Sequence, residues 1–299
     1  MADGSLQLER MPGDPEPPRV IDAQVVEDAT VRARRVPGAP AAGFAAFLDG
    51  AQHSHCAAWD GVAPIVAGHV GAVIRVRTDR RLSTWRSART RILVYAPFAY
   101  TARAMWEEFF PSESMVDTSV PDDHGVVPPP HPMLLLERAR QAVQHDRERI
   151  ERDLAHLWCE AESRPLFVDG SLAESDTLAN SPCAVGVVKS HRTLYADGAA
   201  LFTVLSLAKG ERSSVIRIAP RGRSSVLSWY LRLRDNAGHD AMWGLVRVEA
   251  AVTERVAERA DEVSRWILAE TAPVAMPDAR WDKMAYGILN CEEFLKAVR

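Results

Sequence analysis

The sequence is short of cysteine, lysine, long apolar runs and net positive charge, and each shortage excludes a class of protein. Four cysteines, Cys56, Cys159, Cys183 and Cys291, stand far apart and form no Cys-x-x-Cys pair. That spacing argues against a zinc ribbon or a disulfide framework and suits a reducing cytosol. No apolar run is long enough to cross a bilayer. The opening MADGSLQLERMPGDPEPP lacks the basic-then-apolar order of a signal peptide, so the expected location is cytoplasmic. A formal net charge of -4 gives no positive field to coat nucleic acid. It leaves room for phosphate chemistry in which bound divalent metals supply the positive charge.

What is present is an ordinary globular composition, 47% hydrophobic and 25% charged over 299 residues, enough for a sizeable core. Residues 1 to about 40 are rich in Pro, Ala and charge and read as a loosely ordered arm. The remainder, 41–299, reads as one compact α/β unit with a loop insertion at about 111–132, where PSESMVDTSVPDDHGVVPPPHP breaks the pattern. GFAAFLDG, ending at Asp49, suits a buried strand whose last residue points out of the sheet edge. APIVAGHVGAVIRVRT and RTRILVYAPFAY extend it into an antiparallel meander. From Met133 to Ala161, Leu136, Ala139, Val143, Ile150, Leu154, Leu157 and Ala161 form one stripe of a long helix. RPLFVDGSL then repeats the strand-to-Asp-Gly theme at Asp169. CAVGVVKS, SSVLSWYLRLRD and AMWGLVRVEA read as later strands, and ALFTVLSLAKGERSS fits helix or strand. An amphipathic helix, Thr253 to Glu270, and a last helix, Trp281 to Val298, follow.

The chemistry rests on AFLDGAQ around Asp49 and LFVDGSL around Asp169. A strand holds each carboxylate rigidly, and the following glycine permits a sharp turn. Two such carboxylates on neighbouring strands can share hard cations, which prefer oxygen ligands. A metal pair roughly 4 Å apart clamps the attacking water and leaving oxygen of a phosphodiester. An Asp-Gly after an apolar run is also an ordinary turn signal, so the pattern alone does not decide.

In order along the chain, FLDGAQ, the long helix, LFVDGSL, VGVVKSH, SWYLRL, WGLVRVE and YGILNCEEFLK resemble the blocks of the NurA nuclease family. The resemblance runs from about residue 43 to the C-terminus, and DGSL followed by GVVKS is its most specific part. It implies an RNase H-like mixed sheet flanked by helices with a long central helix. It also implies a homodimer and a Mn²⁺- or Mg²⁺-dependent nuclease that degrades DNA ends and cuts single strands. Its implied partner is a HerA-type hexameric ATPase, in DNA processing, repair or anti-phage defence. By resemblance, Asp49 and Asp169 hold metal.

The family adds a glutamate from the helix before the second aspartate. At about 100° per residue, Glu148 falls opposite the apolar stripe, Glu151 on one flank, and Asp146 and Asp153 on the other. Glu151 is favoured because its distance before VDGSL resembles the family's spacing. A fourth acid is expected from the C-terminal region. Glu292 matches by position, although Gly287 stands where the family has proline, and Asp278 in PDARWDK competes.

Lys189 in GVVKSHR is placed to neutralise a phosphate, with His191 and Arg192 extending the same turn. Arg75 and Arg77 alternate on one strand face and could track a DNA backbone, and Tyr230, beside Trp229, could stack on an unpaired base. His53 to Cys56, HSHC, tempts a transition-metal reading, but such close ligands do not converge easily on one ion. Gln52 and His53 would sooner line the cleft behind Asp49. From another class comes the alternative of a non-catalytic adaptor that feeds DNA to the ATPase ring through the same fold with an incomplete metal shell. An RNase H-like nuclease acting on RNA is a third reading.

Overall fold

The computed structural model describes residues 19–21, 23–79, 81–102, 108, 110–121, 125–219, 224–271 and 282–298. Its strands in the N-terminal half are β1 (Arg19–Val20), β2 (Gln24–Val25), β3 (Ala33–Arg35), β4 (Ala46–Asp60), β5 (Ala63–Thr78), β6 (Arg81–Thr84), β7 (Arg89–Ala96) and β8 (Met115–Asp117). A long helix α1 (Pro132–Ala161) leads to β9 (Leu166–Asp169), a short helix α2 (Asp176–Ala179), β10 (Ala184–Val188) and β11 (Thr193–Leu194). Then come α3 (Gly198–Leu205), β12 (Glu211–Ser213), β13 (Ile216–Ile218), β14 (Val226–Arg232), β15 (Leu245–Ala250), α4 (Val256–Glu270) and α5 (Tyr286–Ala297). The described residues are thus mixed α/β. None of their helices is long and apolar enough to cross a membrane.

These residues gather into two compact units, and β4, β5, β7 and α1 contribute to both. The smaller comprises 52–70 and 91–146. In it the end of β7 pairs in parallel with β8. Ile65, Val94 and Ala96 form a small core against Ala58, Phe98 and Phe110. The hydroxyl of Tyr95 donates to Asp146 at 2.9 Å.

The larger unit, drawn from 18–51, 71–90 and 147–299, holds the candidate site. Its strands stand in the order β2-β13-β14-β15-β10-β9-β4-β5. β4, β9 and β10 run parallel, while β15, β14 and β13 alternate antiparallel beyond them. Side chains alternate across a sheet. Phe47, Phe167, Val185, Val187, Trp229 and Val248 therefore share one face, where they pack with Ala260, Val263 and Ile267 of α4 and with Ile288, Cys291 and Leu295 of α5. Burial of this apolar set is the main force holding the two C-terminal helices to the sheet. Trp229 satisfies its buried Nε1 by donating to Ser264 at 3.0 Å.

Three expectations change. The first Asp-Gly does not end a strand: β4 continues through Asp49 and Gly50 to Asp60. Gly50 keeps a negative φ, and the chain turns instead at Gly61, with φ +57°. At the second Asp-Gly, β9 does end at Asp169, and Gly170 takes φ +147°, a conformation open to glycine. The same Asp-Gly pair after an apolar run therefore has two outcomes: β4 continues through it and β9 ends at it.

Second, part of the expected loose arm is built into the sheet. β2 pairs with β13 and β3 with β12. Arg212, 1% exposed, anchors the stretch through Glu27 at 2.7 and 2.8 Å and Asp261 at 2.6 Å. Residues 1–18 of that arm lie outside the described residues. Third, ALFTVLSLAKGERSS resolves into both alternatives, α3 followed by β12. The long helix, the Asp169 strand and the late strands match the sequence reading. Within α1, however, the C-terminal end of the buried stripe is Trp158, and Ala161 is exposed.

Candidate functional site

Asp49 is the centre of the site. β4 places its side chain on the face that also carries Phe47, and it is only 7% exposed. Its Oδ1 accepts from the backbone of Gly50 at 2.8 Å. Its Oδ2 is buried and has no hydrogen-bond partner among the described residues. Such an oxygen is costly to leave unpaired. Burial pushes the Asp49 carboxyl well above the usual carboxylate range. The nearby charge of Asp169 pushes the same way; Lys189 opposes it, and Glu151 and Glu292 add to it. Four acids named from the sequence therefore meet in one electrostatic neighbourhood, although up to 243 positions of chain separate them.

Each acid has a local reason for its place. β9 pairs in parallel with β4 through Leu48 and Val168, which brings Asp169 beside Asp49. Asp169 Oδ2 accepts from Lys189 Nζ at 2.6 Å, and Lys189 lies just past β10, the other parallel neighbour of β9. Glu151 arrives from α1 on the opposite face of β4, where Gly50 offers no side chain. A Cβ at Gly50 would overlap the Glu151 carboxylate and stand 2.9 Å from its Cγ. Burial raises the Glu151 carboxyl to about 7, against the pull of Arg147, whose guanidinium is paired with it one helical turn earlier. Of the competing helix acids, Asp146 accepts from Tyr95, Glu148 stands 3.5 Å from Arg147, and Asp153 is exposed.

Glu292 is delivered by α5. Gly287 packs against the ring of Phe47, where any Cβ would overlap it, and Cys291 Sγ contacts the Phe47 carbonyl at 3.4 Å. The glycine that stood in place of a proline is thus what lets the helix lie on β4. The competitor Asp278 lies outside the described residues.

A second layer, missed in the sequence, holds the Asp169 turn. Glu249, 1% exposed, accepts from Ser171 Oγ at 2.9 Å and from the backbone of Leu172 at 2.7 Å. Arg247 pairs with its other oxygen. Gly186 makes room for the turn, since a Cβ there would sit 2.7 Å from the Gly170 carbonyl. The signal was available: Val-Arg-Val-Glu-Ala places a charge at every second position of a strand whose other residues are core.

The proposed DNA contacts fare differently. Tyr230 is 1% exposed and its hydroxyl accepts from Tyr195 at 2.9 Å, so it cannot stack on a base. Arg75 spends its guanidinium on Asn290 at 2.9 Å, Thr84 at 2.5 Å and the Leu82 carbonyl at 2.8 Å. Arg77 forms a two-pronged pair with Glu270 at 2.7 and 2.6 Å and lies over the Phe47 ring. Both arginines brace the core of this unit, not a phosphate track. His191 turns inward, with Nε2 2.7 Å from the Leu245 carbonyl, and burial lowers its pKa to about 4. Arg192 is exposed and borders a cavity of about 220 Å³ that Ser190, Tyr195, Arg247 and Glu249 also line. Gln52 and His53 are exposed on β4, and the thiol of Cys56 faces the Ala58 carbonyl at 3.3 Å.

These acids offer only oxygen, which would suit Mg²⁺ or Mn²⁺, and the orphaned Asp49 Oδ2 could serve as one ligand. Among the described residues, however, no three His, Cys, Asp or Glu side chains stand close enough to grip one ion as they are. Lys189 pairs with Asp169, Arg147 with Glu151, and Lys296 stands 3.9 Å from Glu292, so a cation would have to displace them. No protein-family model and no curated protein matches this chain.

Proposed function

We propose that the chain is a divalent-metal-dependent deoxyribonuclease of the NurA kind, with an RNase H-like core, acting on DNA ends and single strands beside a HerA-type hexameric ATPase. The observation that carries this reading is the buried, partnerless Asp49 oxygen set among Asp169, Glu151 and Glu292. Such crowding of like charge is unfavourable by itself and becomes favourable when cations bind. The strand order β5-β4-β9-β10, with the last three parallel, supports the RNase H-like assignment. So does an acid contributed by the helix that precedes β9. The ordered blocks shared with the family, DGSL and GVVKS above all, support the choice of DNA and of the ATPase partner.

Asp49 and Asp169 would hold the cations, with Glu151 and Glu292 completing the shell. When bound, Mn²⁺ or Mg²⁺ supplies Lewis-acid stabilisation of the phosphodiester and a more acidic water. Glu151 keeps its proton to near neutral pH and would have to release it, and leave the Arg147 pair, to serve as a ligand. Lys189, released from Asp169, is within reach to donate to a phosphate oxygen and offset charge that grows during cleavage. Glu249 and Arg247 keep the Asp169 turn rigid while this exchange occurs.

The test is cleavage of linear DNA by the purified protein with Mn²⁺. Asp49→Asn removes the central ligand without changing shape, and activity should vanish; cutting at the wild-type rate would sink the assignment. The Lys189–Asp169 and Arg147–Glu151 pairs favour one second reading, an adaptor whose acids stay neutralised and which feeds DNA to the ring. Calorimetric titration with Mn²⁺ separates them, because the adaptor binds none at this site.

A further inference from the structure

Two cysteines that the sequence left far apart are neighbours in the fold. The Sγ atoms of Cys159 on α1 and Cys183 just before β10 are 3.5 Å apart. Ser181 Oγ stands 3.2 Å from Cys183 Sγ. Cys183 is 4% exposed, while Cys159 is half-buried, and neither is bridged. We propose that Cys159 and Cys183 are a reversible dithiol switch, closed to a disulfide by hydrogen peroxide, that staples the end of α1 to the start of β10.

Three observations support it. The sulfurs need to approach by only about 1.5 Å, since a disulfide spans about 2 Å. The hydrogen bond between the two thiols and the contact with Ser181 lower the Cys183 pKa, while the same bond and burial raise that of Cys159. Whichever sulfur is oxidised first has the other beside it to complete the disulfide. Cys159 is only half-buried, so the pair has one edge that meets solvent.

The step balances. The Cys183 thiolate attacks one peroxide oxygen, the O–O bond breaks, and the departing hydroxide takes a proton to become water. The resulting sulfenic acid is attacked by the Cys159 sulfur; an S–S bond forms and hydroxide leaves with the Cys159 proton as a second water. The two thiols lose two electrons and the peroxide gains them. The bond joins the helix that carries Glu151 to the strand that leads to Lys189, which narrows the motion of both.

The experiment is peptide mapping of the full chain after hydrogen peroxide, with remaining thiols alkylated under non-reducing conditions. The expected product is a Cys159–Cys183 cross-linked peptide, lighter by two hydrogens than the sum of its parts, with loss of alkylation at both positions. It should be restored by reductant, and the oxidised chain should show a higher thermal midpoint. In Cys159→Ser, Cys183 should stop at sulfenic acid and be trapped by a dimedone reagent. The idea is overturned if both cysteines stay alkylatable while the exposed Cys56 oxidises. It is equally overturned if Cys183 proceeds to sulfinic acid with Cys159 still a thiol. No outcome depends on nuclease activity.

Discussion

Gly50 and Glu151 share one volume: the glycine has no side chain where the glutamate carboxylate lies, and Glu151 Cδ stands 2.7 Å from the position a Cβ would take. Because the atoms in the way are the far end of a flexible side chain, Gly50→Ala should displace Glu151 rather than unfold the strand. The expected result is a thermal midpoint close to wild type with Mn²⁺-dependent cleavage reduced roughly 10- to 100-fold. A large fall in stability with unchanged specific activity would show that Glu151 does not act from this place.

The raised Glu151 carboxyl makes the metal-free protein sensitive to pH. Its pKa rises from 4.5 to about 7 on folding. Below 4.5 the group is protonated in both states and its full contribution is present. As pH rises through the interval, the unfolded chain ionises first, so stability is lost until about pH 7. Thermal melts in chelator should therefore fall over this range, and Glu151→Gln should flatten part of the fall. Added Mn²⁺ should stabilise wild type more above pH 7 than below 5. Parallel curves for wild type and Glu151→Gln would refute the shift.

Glu249 and Arg247 act as a unit, both buried and paired. Glu249→Gln leaves the Arg247 charge without its counter-ion and should destabilise the chain by about 3–5 kcal/mol, with loss of cleavage as the Asp169 turn loosens. Combining it with Arg247→Met removes the stranded charge. The double variant should regain most of the stability in denaturant titration but little of the activity. Additive losses would mean the two do not interact.

Gly287 tests how α5 brings in Glu292. Gly287→Ala pushes a methyl group into the buried Phe47 ring, where neither side can yield, at a cost of about 1–3 kcal/mol. Urea melts should show that loss, and Mn²⁺ affinity should weaken with it. A neutral substitution would place Glu292 in the site for some other reason.

Arg75 and Arg77 should be silent in DNA binding. Their guanidinium groups are committed inside the unit. Replacing either by Met should leave the slope of log affinity against log salt unchanged, whereas Lys189→Met should reduce it by roughly one. A reduced slope in the Arg75 variant would restore the arginine strip as a DNA contact.

Much of this molecule could be read from local text. Apolar periodicity located β5 at its observed bounds, α1 to within a residue, and the strand that ends at Asp169. Helix geometry put Glu151 on the flank of the buried stripe, and its likeness to the family's spacing before VDGSL chose it over Glu148, Asp146 and Asp153. Those signals are legible because burial and hydrogen bonding within an element act over a few residues.

What only the tertiary structure decided is everything that depends on a distant neighbour. One Asp-Gly turned and the other did not, because β4 continues where β9 stops. Tyr230, Arg75 and Arg77 looked like surface contacts until β6, the two C-terminal helices and the segment at Tyr195 filled their hydrogen bonds. Gly287 looked like a defect until Phe47 occupied its missing side chain. Asp49 and Glu292 meet only because α5 folds back over β4, a consequence of burying one shared apolar face. Residue order carries the alternation that makes that face; the packing of faces, a collective effect across the chain, selects which polar groups remain to do chemistry.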